Sequence, residues 1–304
     1  MVIVFGSLNN DFFLNVERFP LPGETVLTSS SFVKPGGKGA NQAVAASCAG
    51  ADTVFVGAAG NDELAQVSLS ALKKAGVDVS YVQRSDKSTG MAMIVVDSSA
   101  ENSIVVASGA NGDLSADKVP DALLEKGGVL VMQMETPVSE NIKLMRRAKE
   151  KGMKCLLNVA PAKELPPETA ELADVLIVNE IEALSVYGSF FGKEARDARF
   201  AARALSEKTG GICVLTLGGK GALLANGGEI LEASALNIRP VDTTGAGDAF
   251  VGTFAANLEA GCDMSDILKR SCAAAGLACL KAGAQEALPP RDEILRRAAE
   301  IRLS

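Results

Sequence analysis

At 304 residues, 47% hydrophobic and 22% charged, the chain is globular and long enough for one large domain or two ordinary ones. A net charge of −7 excludes broad attraction to nucleic acid or an anionic membrane, and no apolar run reaches the ~18 residues of a spanning helix. The absence of histidine removes Ser-His-Asp catalysis, histidine-held zinc and a histidine general base, so any proton transfer falls to Asp, Glu, Lys, Cys or Tyr.

The first predicted strand is "VIVF" at 2–5, and the segment before "GSLNND" lacks the basic region of a signal peptide, so a cytoplasmic protein is expected. Residues 11–33 read as two extended strands. "PGGKGANQAVAAS" at 35–47 reads as a tight glycine turn opening a small-residue helix. A strand at 53–58 and a helix at 63–76 follow. Residues 89–109 alternate apolar and polar about "SSAEN", as a hairpin does. Near-continuous apolar strands then recur at 128–134, 154–159, 174–179 and 212–217, with helical patterning at 139–152 and 194–210. After residue 245 the chain is mainly helical. This alternation predicts a doubly wound, mainly parallel α/β sheet flanked by helices, in a single domain over 1–304. The 11–33 and 89–109 segments form a small antiparallel sheet that needs a ligand or a second copy against its apolar face. Six cysteines are scattered without a C-x-x-C pair, most of them among apolar neighbours, as buried thiols are.

Ligands of an open parallel sheet bind beyond the C-terminal strand ends. Those ends carry acids, amides and glycines here: Asn9 and Asp11, Glu135, Asn158, Asn179 with Glu180 and Glu182, and Thr216 with Gly218, Gly219 and Gly221. Single residues of this kind serve as helix caps, but five coincident endings predict a shared polar cleft. "GGKGAN" fails the Walker A spacing. Its glycines serve close helix–sheet packing, or bring backbone up to a hydroxyl-rich ligand with Lys38 and Asn41 as donors. In "DTTGAGDAF", Gly245, Ala246 and Gly247 open a helix whose N–H groups suit an anion. Asp248 complements the helix dipole there, or acts as a general base beside an anion hole, with Asp242 as a second acid upstream.

"GSLNND", "PGGKGANQAVA", "MQMETP", "NVAPAKELP", "NEIEA", "TLGGKGA", "DTTGAGDAF" and "KAGAQEALP" occur in the order found in the ribokinase-like (PfkB) carbohydrate kinases, and the chain resembles that family end to end. "MQMETP" and "NVAPAKELP" are most similar to its ribose-phosphorylating members. The resemblance implies ATP-dependent phosphorylation of a sugar hydroxyl, D-ribose to D-ribose 5-phosphate first. Deoxyribose, a ketohexose or a nucleoside are the enzymatic alternatives, and a sugar- or nucleotide-binding regulator is the non-enzymatic one. It implies Asp248 as the base and Gly245, Ala246 and Gly247 as the anion hole. Asn9, Asp11, Gly37, Lys38, Asn41 and Glu135 would bind sugar hydroxyls. Asn179 and Glu182 would organise phosphate and water-held Mg²⁺, and Thr216, Gly218 and Gly221 would line the ATP site. Asp242, Thr244, Ala278, Lys281, Gly283 and Ala287 would hold a monovalent cation, K⁺. The small sheet would be a lid (about 11–33 and 89–109) that also pairs a homodimer. Cys272 stands where such enzymes can carry an adenine-contacting histidine. Asn10, Phe12 and Phe13 depart from the pattern beside the sugar, where choice of sugar is expected to be decided.

Overall fold

The computed structural model describes residues 1–99, 101–162 and 165–304; Ala100 of the "SSAEN" turn, and Lys163 and Glu164 of "NVAPAKELP", lie outside the described residues. Strand β1 (Val2–Phe5) leads to β2 (Asn9–Asn15), β3 (Ser30–Gly36) and α1 (Lys38–Cys48). Then come β4 (Thr53–Val56), the short β5 (Ala58–Ala59), α2 (Glu63–Lys74) and β6 (Gln83–Arg84), followed by β7 (Gly90–Val96) and β8 (Asn102–Ala107). Strands and helices next alternate as β9 (Val129–Met132), α3 (Val138–Glu150), β10 (Lys154–Asn158), α4 (Pro167–Leu172), β11 (Val175–Asn179), α5 (Glu180–Phe191), α6 (Ala198–Thr209) and β12 (Ile212–Thr216). A hairpin, β13 (Ala222–Asn226) and β14 (Glu229–Ala233), precedes α7 (Ala246–Glu259), α8 (Met264–Ala278) and α9 (Arg291–Ala298).

The main sheet has the order β14-β13-β12-β11-β10-β9-β1-β4 and is parallel from β12 to β4. Side chains alternate across it, so each strand feeds two cores. Val2 and Val4 pack with α1, α2, α7, α8 and α9, while Ile3 and Phe5 pack with α3, α5 and α6. Burial on both faces explains why the parallel strands read as unbroken apolar runs. Because β4 and β9 both flank β1, the winding reverses at β1, and a crevice opens beyond its C-terminal end.

The structure departs from the sequence reading in four places. The antiparallel β13–β14 edge was not anticipated, although Gly227 and Gly228, both at positive φ, make the two-residue loop of a tight hairpin. Helix α5, which the sequence reading did not place, starts directly at Glu180 after β11. Asn9 and Asp11 do not end β1; they open β2, in the four-stranded sheet β3-β2-β7-β8. The strands of that sheet are offset from the expected bounds, and residues 16–29 between β2 and β3 are not strand.

Candidate active site

Beyond β1 the backbone runs against the start of α1. Gly37 has φ 90°, and a Cβ there would lie 2.8 Å from the Asn9 nitrogen; one on Gly39 would lie 2.5 Å from the Ser7 nitrogen. Both glycines are therefore required for close helix–strand packing, and the same packing places Lys38 and Asn41 at the cleft. Ser7 Oγ donates to Glu135 Oε2 (2.5 Å), which also accepts the Lys38 N–H (3.0 Å). Asn9 is buried, and its Oδ1 accepts from Asn111 Nδ2 (2.7 Å), which leaves the Asn9 amide nitrogen as a donor.

Asp11 packs against Gly36, where a side chain would collide with its carboxylate. Burial, together with the charges of Glu135 and Asp248, pushes its pKa up to about 7 against the pull of Lys38. Burial works against the Lys38 ammonium, but the carboxylates of Asp248, Glu135, Glu182 and Asp11 outweigh it and hold its pKa above the ordinary value.

Asp248 lies in the first turn of α7 and is buried. Its two oxygens each accept one amide: Oδ2 from Asn41 Nδ2 and Oδ1 from Gln42 Nε2, both at 2.9 Å. Burial raises its pKa, opposed by Lys38 and the two amides. The contact between α1 and α7 depends on Gly252, where a Cβ would lie 2.5 Å from both Ala45 Cβ and the Gln42 carbonyl. At the entrance to α7, the Ala246 N–H donates to the Thr243 carbonyl (3.2 Å), so of the three predicted anion-hole residues this one is engaged within the protein. The N–H groups of Gly247 and Asp248 belong to the first turn and have no partner four residues back. A Cβ on Gly247 would meet open space, so its lack of a side chain keeps the approach clear.

A cavity of about 510 Å³ joins Thr216, Gly218, Gly221 and Cys272 to Ala246 and Gly247. Gly221 has a packing role as well, since a side chain there would overlap the Ala233 carbonyl. Burial pushes the Cys272 thiol up to about 12, so it meets a ligand as a neutral, weakly polar surface. Asn179 and Glu182 form a capping box on α5: Asn179 Oδ1 accepts the Glu182 N–H, and Glu182 Oε2 accepts the Asn179 N–H, both at 2.8 Å. Among the described residues no donor is bonded to Glu182 Oε1. A lone carboxylate oxygen suits Mg²⁺ that keeps several waters, and no three His, Cys, Asp or Glu of the described residues converge into a metal cage.

Asp242 Oδ1 accepts the Thr244 N–H (2.9 Å) and Oδ2 the Gly283 N–H (2.8 Å). Burial opposes its ionisation, but these donors, the Thr244 hydroxyl and Lys34 together hold its pKa below the ordinary value. Thr244 and Gly283 are thus brought to Asp242. Ala278 ends α8, Ala287 lies in a 3-10 turn at Gln285–Ala287, and Lys281 is exposed without a bond to Asp242. Both Asp242 oxygens thus accept a main-chain N–H, and each keeps a second lone pair that suits a monovalent cation.

Sequence reasoning missed Ser7, Gln42, Asn111, Gln133 and Gln285, which position the residues it did find. Only Gln42 carried a usable signal, as the neighbour of Asn41 in the first turn of a helix already placed at the cleft. The expectation for Asn10 needs correction. Strand alternation turns it away from Asp11 and towards α2, where its Nδ2 donates to the Leu64 carbonyl (3.2 Å) and its Oδ1 accepts from Ser68 Oγ (3.0 Å). Phe12 shares that face, whereas Phe13 is on the Asp11 face, stacked on Phe32 at 4.8 Å between centroids.

Residues 1–291 match the pfkB family carbohydrate kinases. The ribokinase of Haemophilus influenzae is 37% identical over 96% of this chain and 96% of its own. The bifunctional ribokinase/ribose-5-phosphate isomerase A of Fructilactobacillus sanfranciscensis is 38% identical over 97% of this chain, which spans only 55% of that longer relative. The solved structure of Arabidopsis thaliana ribokinase complexed with ribose and ATP superposes with a TM-score of 0.88, at 31% identity over 98% of both chains. The chain belongs to the pfkB family of carbohydrate kinases.

Proposed function

We propose that this kinase transfers the terminal phosphoryl group of ATP to D-ribose, giving D-ribose 5-phosphate and ADP. The observation that carries the reading is the buried Asp248 carboxylate, held by the amides of Asn41 and Gln42 directly after Ala246 and Gly247, which line the glycine-rich cavity. The ribose and ATP of the Arabidopsis complex support the choice of both substrates.

Asn9, Asp11, Gly37, Lys38, Asn41 and Glu135 hold the sugar hydroxyls, since carboxylates and amides suit vicinal diols. Asp248 accepts the proton of the attacking hydroxyl as its oxygen bonds to phosphorus and the bond to ADP breaks. The first-turn N–H groups at Gly245, Ala246 and Gly247 receive the transferring phosphoryl, with Ala246 exchanging its Thr243 partner for the ligand. Thr216, Gly218, Gly221 and Cys272 line the nucleotide site. Asn179 and Glu182 face the phosphates, where Mg²⁺ when bound neutralises charge. Asp242, Thr244, Ala278, Lys281, Gly283 and Ala287 hold K⁺ and steady the loop before α7.

The sheet β3-β2-β7-β8 is read as the lid of a single domain, and its exposed β8 as the contact of a homodimer. No helix among the described residues is long and apolar enough to cross a membrane, in keeping with the cytoplasmic location that belongs to this reading.

An ADP-release assay across ribose, deoxyribose, fructose, tagatose and ribonucleosides tests the substrate. Ribose should give the highest kcat/KM, and preference for another sugar overturns the choice. K⁺ should raise turnover over Na⁺, and Asp242→Ala should remove that response; indifference of the wild type to the cation refutes the site.

A further inference from the structure

Both amides that hold Asp248 are themselves held. Gln42 is fully buried, and its Nε2 donates to Asp248 Oδ1 (2.9 Å) and to Asn158 Oδ1 (3.0 Å), while its Oε1 accepts from Gln133 Nε2 (2.7 Å). Asn158 in turn donates its own amide to the Ile177 carbonyl (3.2 Å), which fixes its oxygen towards Gln42. On the other side, Asn41 Nδ2 donates to Asp248 Oδ2, and Asn41 Oδ1 accepts from Gln285 Nε2 (3.0 Å). Each arm is therefore a relay of two amides ending on one carboxylate oxygen.

An amide can present either its nitrogen or its oxygen to a neighbour. Rotated by half a turn, Gln42 or Asn41 would set a carbonyl oxygen against the carboxylate and lose a charge-assisted bond. A donor on the far side of each amide opposes that rotation, and Gln133 and Gln285 are those donors; at Gln42 the Asn158 oxygen opposes it as well. Among the described residues neither is hydrogen-bonded to Asp248, and the Oε1 of each is buried without a partner. Each thus keeps one unsatisfied acceptor while its nitrogen orients the next amide.

We propose that Gln133 and Gln285 are positioning residues that act on the base through Gln42 and Asn41, holding both carboxylate oxygens to one donor each. The proposal rests on the reading of Asp248 as the base. The amide donors favour the ionised carboxylate, so loosening either arm makes the base harder to ionise. The charged groups facing Asp248 are Lys38 on α1, Glu135 beyond β9 and Asp11 on β2, and the substitutions below leave all three in place.

The test is the pH dependence of kcat at saturating sugar, which reads the sugar-bound enzyme. Gln133→Met and Gln285→Met should each move the acid limb up by about 0.5–1 pH unit, with sugar KM within about twofold. Gln42→Met should move it at least as far, and Gln42→Met/Gln133→Met no further than Gln42→Met alone. An acid limb that stays in place in both single glutamine variants overturns the proposal, as does an additive double variant; general damage would lower kcat at every pH without moving the limb. If the fully buried Gln133→Met fails to fold, Gln285→Met decides alone, because its side chain sits in a half-buried turn. Full turnover in Asp248→Asn sinks the base reading itself. Lost turnover there, with unmoved limbs in the glutamine variants, sinks only the relays.

Discussion

Around Asp248, α1 and α7 touch backbone to side chain across Gly252, and each oxygen of the Asp248 carboxylate is matched to an amide donor within hydrogen-bond distance. The sheet β3-β2-β7-β8 is built in the opposite way: Ile104, Val105 and Val106 on β8 are 52%, 68% and 51% exposed, and Phe32 and Val33 on β3 are also uncovered. The same chain therefore has a site half that is rigid by packing and a half whose apolar surface is unfinished. A reaction needs both properties, because a base must be held in place while a sugar must get in and out.

The sharpest way to break this contrast is at the packed half. Asp248→Asn keeps the shape and one oxygen but cannot take a proton, and turnover should fall by at least ~10²-fold with the fold intact. Near-normal turnover would show that the packed half is scaffold alone. Gly252→Val tests the packing itself. Its side chain has no room beside Ala45 and the Gln42 carbonyl, so α1 and α7 must separate, at about 3 kcal/mol of stability. Thermal unfolding reads this, and an unchanged melting temperature would mean that the close approach of α1 and α7 is not required.

Where the two halves meet, Asp11 of β2 faces Glu135 and Asp248, and its pKa rises from 3.8 to about 7. Below the unfolded value both states are protonated. Between the two values the native state keeps a proton that the unfolded chain has released, so stability falls as pH rises. Asp11→Asn should thus gain on the wild type between pH 4 and 7 and hold that gain above, at roughly 2 kcal/mol, about half of the full shift once solvent screening is allowed for. Parallel pH curves for the two proteins in sugar-free unfolding would refute the strain. Added ribose should narrow the gap, because hydroxyls that donate to Asp11 favour its ionised form.

The parallel strands were legible in the sequence because burial on both faces leaves no polar interruption within a strand, whereas α4 and α5 between β10 and β12 were not read as helices. Asp248, Glu135 and Asn41 were legible because each is a polar residue at the end of an apolar run or beside a glycine turn, whereas Asp11 was read at the end of β1 and lies in β2. Gln133 and Asn111 were not, since their roles depend on contacts with residues about 90 to 100 positions away, Gln42 and Asn9, which no local pattern encodes. Asn10 shows a related limit. Its place in "NNDFF" pointed at the sugar, yet one step along a strand reverses the face, and only the register of β2 against β3 and β7 decides which face is which.

The smallest effect is expected at the open half. Val105 is the most exposed large apolar residue of β8, and β8 is an edge strand, so its outer side offers unpaired backbone as well as apolar surface. A monomer gains little from keeping valine there, and Val105→Lys should change its stability by less than about 0.5 kcal/mol. In a dimer closed through this strand the same lysine would face its own copy, two like charges brought together and stripped of water. The variant should therefore elute as a monomer at concentrations where the wild type elutes as a dimer, with a melting temperature that no longer depends on protein concentration. A variant that still elutes as a dimer would place the contact elsewhere. The exposed apolar surface of the small sheet would then have to be covered by closure over the sugar rather than by a second chain.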